Sequence, residues 1–418
     1  MELIVFNQDR EVGRLQVDPN GPFCFNYEEQ WLAGSDAFPL SISLPLGQKP
    51  LCGDQVRNFF ANVLPEGDIR DQVARKLGVS RTNVFELLRE LGGDCAGAIS
   101  VYPPDKRPRS RKSEYRILDN KELAKIVTEL PQRPLLAGEE GIRLSLAGAQ
   151  EKLPIRYTNG TAFLPLGGAP STHILKPPIR GVQESVVNEA FCMRLARAVG
   201  IDVPNCTILR TGTVHSLLVE RYDRVVLPES IIRVHQEDFC QALGIAPEIK
   251  YENEGGPAFR ECCELLRKHS VSPAKDLLRI TEWMFFNVLV GNADAHAKNL
   301  SLLYRQKAPS LAPSYDLLCT TIYEGLSQRM AMKVGGENRP AWIMKRHWVR
   351  LAEEAGVKSR IILERLQAFC ARTEQELDPV LSLFRDEYKD VETSFASEIA
   401  DRVRSSIRET LKRLSGKA

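Results

Sequence analysis

An α+β fold, with a strand-bearing N-terminal part and a mostly helical C-terminal part, follows from three features of this sequence. Short β-rich runs broken by turn residues open the chain. Strands and helices are mixed up to about residue 225, and amphipathic helical patterns dominate from about 235 onward. With 418 residues, 43% of them hydrophobic and 26% charged, the chain has the composition of a globular protein and the length of two or three domains.

Residues 1–104 read as a separate α/β module. Runs at 3–6, 13–17 and 23–27 are short and β-rich, and Asp18-Pro-Asn-Gly21 supplies turn chemistry between the second and third. A further strand is expected at 39–45, where the prolines stand only at the ends. Helical periodicity covers 56–64, 69–77 and 84–91, and the small residues from Gly92 to Gly97 lead into a closing strand that ends at Tyr102. Residues 105–116 are basic and proline-bearing, as expected of a solvated linker.

The region 117–225 mixes strands with helices at 120–129 and 185–199, the second capped by Gly200. Residues 226–418 form the mostly helical part. There the Trp-Met-Phe-Phe stripe of 277–290 marks a core helix that Gly291 ends. The apolar and charged positions of 358–415 alternate in helical style, without the sustained heptads of a coiled coil.

Several function classes find no support. A net charge of +2 is not that of a dedicated nucleic-acid binder. The ten cysteines show no C-x-x-C and no zinc or disulfide framework, so reduced thiols are expected. The N-terminus has no apolar signal core, and the longest apolar run, 283–290, is far short of the roughly 20 residues of a membrane span. A cytoplasmic protein without membrane contact is expected. The zinc-protease and serine-hydrolase signatures are missing as well.

One stretch carries chemistry. In residues 291–301, GNADAHAKNLS, Asp294 and Asn299 stand at the interval of the Asp and Asn in the catalytic loop of protein kinases. A carboxylate there accepts a proton from the attacking hydroxyl, and an amide oxygen one loop-turn later holds a metal beside it. A second carboxylate follows a short hairpin at Asp316, in PSYDL of 313–317, placed as a magnesium ligand. His296, two residues after Asp294, suits a scaffold within the loop better than a metal ligand.

Upstream, Lys176 ends an apolar strand in THILK of 172–176, where a point charge can meet nucleotide phosphates; Glu189 on the next helix can hold it, or be a plain exposed glutamate. Ala147, Gly148 and Ala149 have little side chain, so their N–H groups can approach phosphate oxygens, with Lys152 adding charge; by itself, this segment with its single glycine would be a tight turn. After the strand at 217–219, Glu220, Arg221 and Tyr222 stand where a linker offers backbone groups to adenine, and Asp223 is placed to meet a ribose. The alternative for Arg221 to Arg224 is a surface ion-pair cluster.

Taken together, these pieces resemble the HipA-type serine/threonine kinases, toxins of bacterial toxin–antitoxin modules. The likeness rests on LSLAGAQEK (144–152), THILK (172–176), VNE (187–189), ERYD (220–223), HQED (235–238), NADAHAKN (292–299), Tyr315-Asp316, and FFANVLPEG (59–67) in the first module. The resemblance implies a two-lobed protein-kinase-like fold that uses ATP and Mg²⁺. It implies Asp294 as proton acceptor, Asn299 and Asp316 as metal ligands, and Ala147, Gly148, Ala149, Gln150, Glu151 and Lys152 as the phosphate loop. Lys176 would contact phosphates, Glu220 to Tyr222 would bind adenine, and His296, Lys298 and Tyr315 would complete the nucleotide site. Ser145 matches the serine such kinases autophosphorylate to shut themselves off; where some members carry a second serine in this loop, only Ser145 is present.

The implied partners are a HipB-like helix-turn-helix antitoxin, operator DNA reached through it, and a protein substrate such as an aminoacyl-tRNA synthetase, notably the glutamate enzyme. Two other readings fit parts of the pattern. The Asp-x-His-x-x-Asn order is also that of small-molecule phosphotransferases, and a nucleotide-binding corepressor without catalysis would keep the same motifs.

Overall fold

The computed structural model describes residues 1–18, 21–108, 114–212, 214–305, 308–388 and 390–416. They divide into two compact units. The first comprises 1–177, 209–248 and 302–309, and the second 178–208, 249–301 and 310–418.

The first unit contains two large sheets, beside a two-stranded one of Arg224–Val226 and Ile231–Arg233. In one, the strand order is Leu51–Cys52, Phe23–Tyr27, Arg10–Val17, Glu2–Asn7 and Ile99–Tyr102, with antiparallel neighbours. The inward positions Leu3, Val5, Leu15 and Phe25 alternate along these strands and pack on Phe59, Phe60, Leu87 and Leu88 of two covering helices, Asp54–Ala61 and Val84–Leu91. The helices expected at 69–77 and 84–91 are found as Gly67–Leu77 and Val84–Leu91, and Asn83 caps the latter by accepting from the Glu86 N–H at 3.1 Å.

The other sheet has the order Cys206–Thr211, Val214–Glu220, His173–Lys176, Leu153–Thr158, Thr161–Leu166 and Glu114–Leu118. Helix Asn120–Glu129 covers it and contributes Leu123, Ile126 and Val127 to a separate core. Asp119 starts this helix by accepting from the N–H groups of Lys121 and Glu122, each at 2.8 Å. Of the linker expected at 105–116, residues 109–113 lie outside the described residues, and residues 114–116 already belong to strand Glu114–Leu118.

Two expectations are corrected. Residues 39–45 form a tight turn with a Ser41–Leu44 bridge, not a strand. Prolines remove the N–H groups at both ends, and the turn's polar groups pair with side chains instead of a neighbouring strand. The Tyr27 hydroxyl accepts from Leu40 N–H (2.8 Å) and donates to the Leu44 carbonyl (2.5 Å). The second correction concerns the cysteines. Cys24 and Cys52 are register partners on adjacent strands and form a disulfide, while the other eight stand outside that bond, all but Cys206 buried.

The second unit is helical: Ser185–Ala198, Phe259–His269, Pro273–Val290, Lys345–Ala355, Ser359–Glu387 and Asp390–Leu414. Its core stacks Phe285 edge-on against Trp348 and Phe369, with ring centroids 5.4 and 5.9 Å apart. Among the described residues no helix is long and apolar enough to cross a membrane.

Candidate active site

Helix Pro273–Val290 stops at Gly291, which adopts φ +73°, and a Cβ there would lie 2.1 Å from Thr321 Oγ1. Only glycine meets both conditions, so the chain turns sharply into the loop that bears Asp294. The Gly291 carbonyl accepts from Thr321 N–H (3.0 Å), and Thr320 Oγ1 accepts from Ala293 N–H (2.7 Å). Asn292, a residue the sequence reasoning left without a role, holds the loop from inside. Its amide donates to Asn287 Oδ1 (2.8 Å) and to the Asp316 carbonyl (3.2 Å), and its oxygen accepts from Asp294 N–H (3.2 Å).

On this frame the Asp294 side chain is 53% exposed. Tyr251 Oη donates to its Oδ1 at 2.8 Å, and His296 Nε2 lies 3.9 Å from the same oxygen. The His296 ring meets Tyr251 edge-on, centroids 5.3 Å apart, and is itself buried. Tyr251 went unnoticed in the sequence because it stands 43 positions from Asp294 outside any motif.

A single 3-10 turn, Ala297–Asn299, brings the amide of Asn299 next to Asp316, with Asn299 Nδ2 3.5 Å from Asp316 Oδ2. Asn299 Oδ1 accepts from His296 N–H at 3.0 Å, which leaves that oxygen one lone pair. Tyr315 Oη reaches the Lys298 carbonyl (2.5 Å) and Ser301 Oγ (2.8 Å), locking the segment before Asp316 onto the loop. Asp316 itself sits at φ +53°, in the left-handed region that non-glycine residues rarely occupy.

Among the described residues no group of three or more His, Cys, Asp or Glu could hold a metal ion. The pair Asn299 and Asp316 nevertheless fits Mg²⁺ in a nucleotide site. That ion takes one or two protein oxygens there and completes its shell with phosphate oxygens and water.

The residues proposed to contact nucleotide in the first unit lie on or next to strands of the six-stranded sheet, Leu153–Thr158, His173–Lys176 and Val214–Glu220. Ser145 is fully buried; its N–H donates to the Asp94 carbonyl (3.1 Å) and its hydroxyl to the Val63 carbonyl (2.7 Å). Gly148, at φ +109°, accepts from Glu66 N–H through its carbonyl (3.1 Å). Lys152 Nζ donates to the Ala147 carbonyl (2.6 Å), so the loop closes on itself; Ala149 is exposed, and Gln150 and Glu151 are half-buried. Lys176 is buried at the end of its strand, opposite Leu217 in register. In the second unit, Glu189 is buried on helix Ser185–Ala198.

The strand ends at Glu220 and the chain turns through Tyr222 and Asp223, with Glu220 exposed, Arg221 buried, Tyr222 half-buried and Asp223 buried. Arg221 and Arg224 belong to an ion cluster that is buried, not at the surface. Arg221 donates to both Asp223 oxygens (2.9 and 2.8 Å), to Ser171 Oγ (2.9 Å) and to Asp94 Oδ2 (3.3 Å). Arg224 reaches Asp94 Oδ1 (2.9 Å), and Arg233 lies 3.1 Å from the same atom. Asp223 also accepts from Gly97 N–H (2.8 Å), so its carboxylate is taken up inside the protein and not turned toward a ribose.

Burial opposes the charge on Asp94, yet Arg224, Arg221 and Arg233 together hold its carboxyl well below the usual carboxylate range. For Arg224, burial and the neighbouring Arg221 pull the guanidinium down to about 10, still charged at neutral pH. The sequence signal for this cluster was a lone acid, Asp94, among Gly and Cys in GGDCAG.

The chain matches the family model described as HipA N-terminal domain over residues 3–102 and that described as HipA-like C-terminal domain over residues 144–377. It is 43% identical over 409 residues to the protein Y4mE of Sinorhizobium fredii, covering 96% of this chain and 97% of that one. To the serine/threonine-protein kinase toxin HipA of Shewanella oneidensis it is 31% identical over 389 residues, covering 89% and 88%. Among solved structures, the complex of the Shewanella oneidensis HipA with HipB and operator DNA superposes with a TM-score of 0.88 at 29% identity. That match covers 99% of this chain and 98% of that one. The fold is thus α+β and kinase-like, as the sequence led one to expect.

Proposed function

This chain belongs to the HipA family of serine/threonine-protein kinase toxins, and we propose that it transfers the γ-phosphoryl group of ATP to a protein serine. The observation that carries this reading is one loop that presents an exposed Asp294 and sets Asn299 beside Asp316. Asp294 accepts the proton of the attacking hydroxyl as the new P–O bond forms, and ADP departs. Lys176 and the segment 147–152 hold the phosphates, and the backbone of 220–222 receives adenine. Asn299 and Asp316 would hold Mg²⁺, which supplies neutralisation of phosphate charge when bound.

Ser145 is proposed as the autophosphorylation site whose modification displaces the phosphate loop and stops the enzyme. A relative solved together with HipB and operator DNA supports a HipB-like antitoxin as partner, with DNA bound through it. An aminoacyl-tRNA synthetase is proposed as substrate on the family's habit alone. The segments 1–104, 117–225 and 226–418 are proposed as N-terminal subdomain, N-lobe and C-lobe.

The test is intact-mass measurement of the purified protein with Mg-ATP beside Asp294→Asn, followed by peptide mapping. One added phosphate at Ser145, lost in Asp294→Asn while ATP still binds, is expected. Transfer at the wild-type rate by Asp294→Asn would overturn the assignment of the base. A wild-type chain that arrives unmodified and gains no phosphate would favour the corepressor reading.

A further inference from the structure

Asp94 comes from the segment matched as N-terminal domain, yet it reaches both stretches of the first unit proposed to touch nucleotide. Its carbonyl accepts from Ser145 N–H (3.1 Å) and its own N–H donates to the Arg143 carbonyl (2.9 Å), so its peptide anchors the start of the phosphate loop. Its carboxylate, with no solvent exposure, accepts from Ser171 N–H (3.1 Å) and Ser171 Oγ (2.6 Å) and faces Arg221, Arg224 and Arg233. The following residues extend the grip. The Cys95 carbonyl accepts from Arg221 Nη2 (2.9 Å) and Arg224 Nη2 (3.0 Å), and the Gly97 carbonyl from Arg224 Nη1 (2.9 Å).

A buried ion cluster of this kind contributes little net stability compared with apolar packing, so its value lies in fixing one geometry. What it fixes here is the turn that follows strand Val214–Glu220, closed by Arg224 N–H donating to the Arg221 carbonyl (3.3 Å). With Arg221 and Asp223 drawn inward, the outward-facing residues are Glu220 and Tyr222. The Arg221 N–H is already used by the Thr172 carbonyl (2.9 Å), which sets the segment's distance from the sheet.

We propose that Asp94 is a positioning residue for purine selection, acting through Arg221 and Arg224 to hold the backbone of 220–222 where it reads the base. The inference rests on the nucleotide reading given above and adds to it which residue sets the selectivity. A phosphate contact is blind to the base, so loss of the clamp should weaken ATP more than GTP. In Asp94→Asn the volume is kept, but the new NH₂ must face either the Arg224 and Arg233 guanidiniums or the Ser171 and Arg221 donors.

The experiment measures ATP and GTP dissociation constants by calorimetry on the full chain, wild type and Asp94→Asn, with thermal melts of both without nucleotide. The expected result is ATP binding weakened by about tenfold or more and an ATP-over-GTP preference reduced by at least about fivefold, since about 1.4 kcal/mol is a factor of ten. If Asp94→Asn does not fold, Ser171→Ala, which removes only the hydroxyl between Asp94 and Arg221, carries the same test with an expected change of about threefold in preference. Equal weakening of ATP and GTP, or an unchanged preference, would overturn the proposal while leaving the kinase reading intact. A wild-type chain that binds neither nucleotide removes the kinase reading and this assignment with it.

Discussion

The Tyr251 hydroxyl donates to Asp294 Oδ1 across 2.8 Å, and the edge of the same phenol ring packs against His296. The proposed base is therefore aimed by a side chain from outside its own loop. Tyr251→Phe keeps the ring contact and removes only the hydrogen bond. Loss of one bond to a carboxylate, about 1.5 kcal/mol, should lower kcat by about tenfold while ATP binding stays within twofold. Steady-state kinetics beside calorimetric ATP binding checks this, and an unchanged kcat would show that Asp294 needs no such guide.

Ser145 has no solvent exposure, and its hydroxyl is held by the Val63 carbonyl. Ser145→Ala should lose about 1 kcal/mol of stability, because a buried carbonyl is left without its donor. Its phosphotransfer should be equal to or above wild type, since the off-switch is gone. A phosphate at this position carries close to two negative charges and cannot stay in that buried place, so Ser145→Glu should bind ATP at least about tenfold more weakly. Denaturant melts and a peptide-phosphorylation assay read both variants; a folded but inactive Ser145→Ala would refute the autoinhibitory role.

Glu237 gives a pH signature. Burial pushes its carboxyl up to about 7, against the pull of its donors Ser41, Tyr304 and Ile42. A raised carboxyl binds its proton more tightly in the folded state than in the unfolded one. Its contribution is therefore full below about pH 4.5 and is lost as pH rises toward 7. His235, which burial pulls down to about 4, slopes the other way, losing its contribution as pH falls from 6.5. Glu237→Gln removes the first slope only, and the Ser41 hydroxyl can turn to accept from the new amide. The variant's melting temperature relative to wild type should climb from pH 4.5 to 7 and level off above. A difference that is flat across this range would contradict the buried, protonated carboxyl.

Much of the second unit's loop was legible because its constraints are local. Gly291, Asp294 and Asn299 are fixed by a helix end and a single turn, and spacing along the chain captures that. Helix Asn120–Glu129 was legible for the same reason, its cap lying one residue before it. Interactions over long sequence separations were not. Asp94 and Arg221 are 127 positions apart, so the sequence offered Asp223 as a ribose contact, or Arg221 to Arg224 as a surface ion-pair cluster, and not a buried one. Cys24 and Cys52 meet only through strand register, and residues 39–45 had the composition of a strand but pair within themselves and with side chains.

The left-handed backbone at Asp316 narrows which residues that position can tolerate. Glycine and asparagine accept such a φ at little cost but bring no carboxylate. Glutamate keeps the charge, yet lacks the short side chain that eases this conformation, at a cost of about 1–2 kcal/mol, and it would carry the carboxylate one methylene further out. Backbone shape and ligand chemistry thus converge on a single amino acid. A position under two such independent demands, one of the backbone and one of the proposed metal site, leaves room for aspartate and little else.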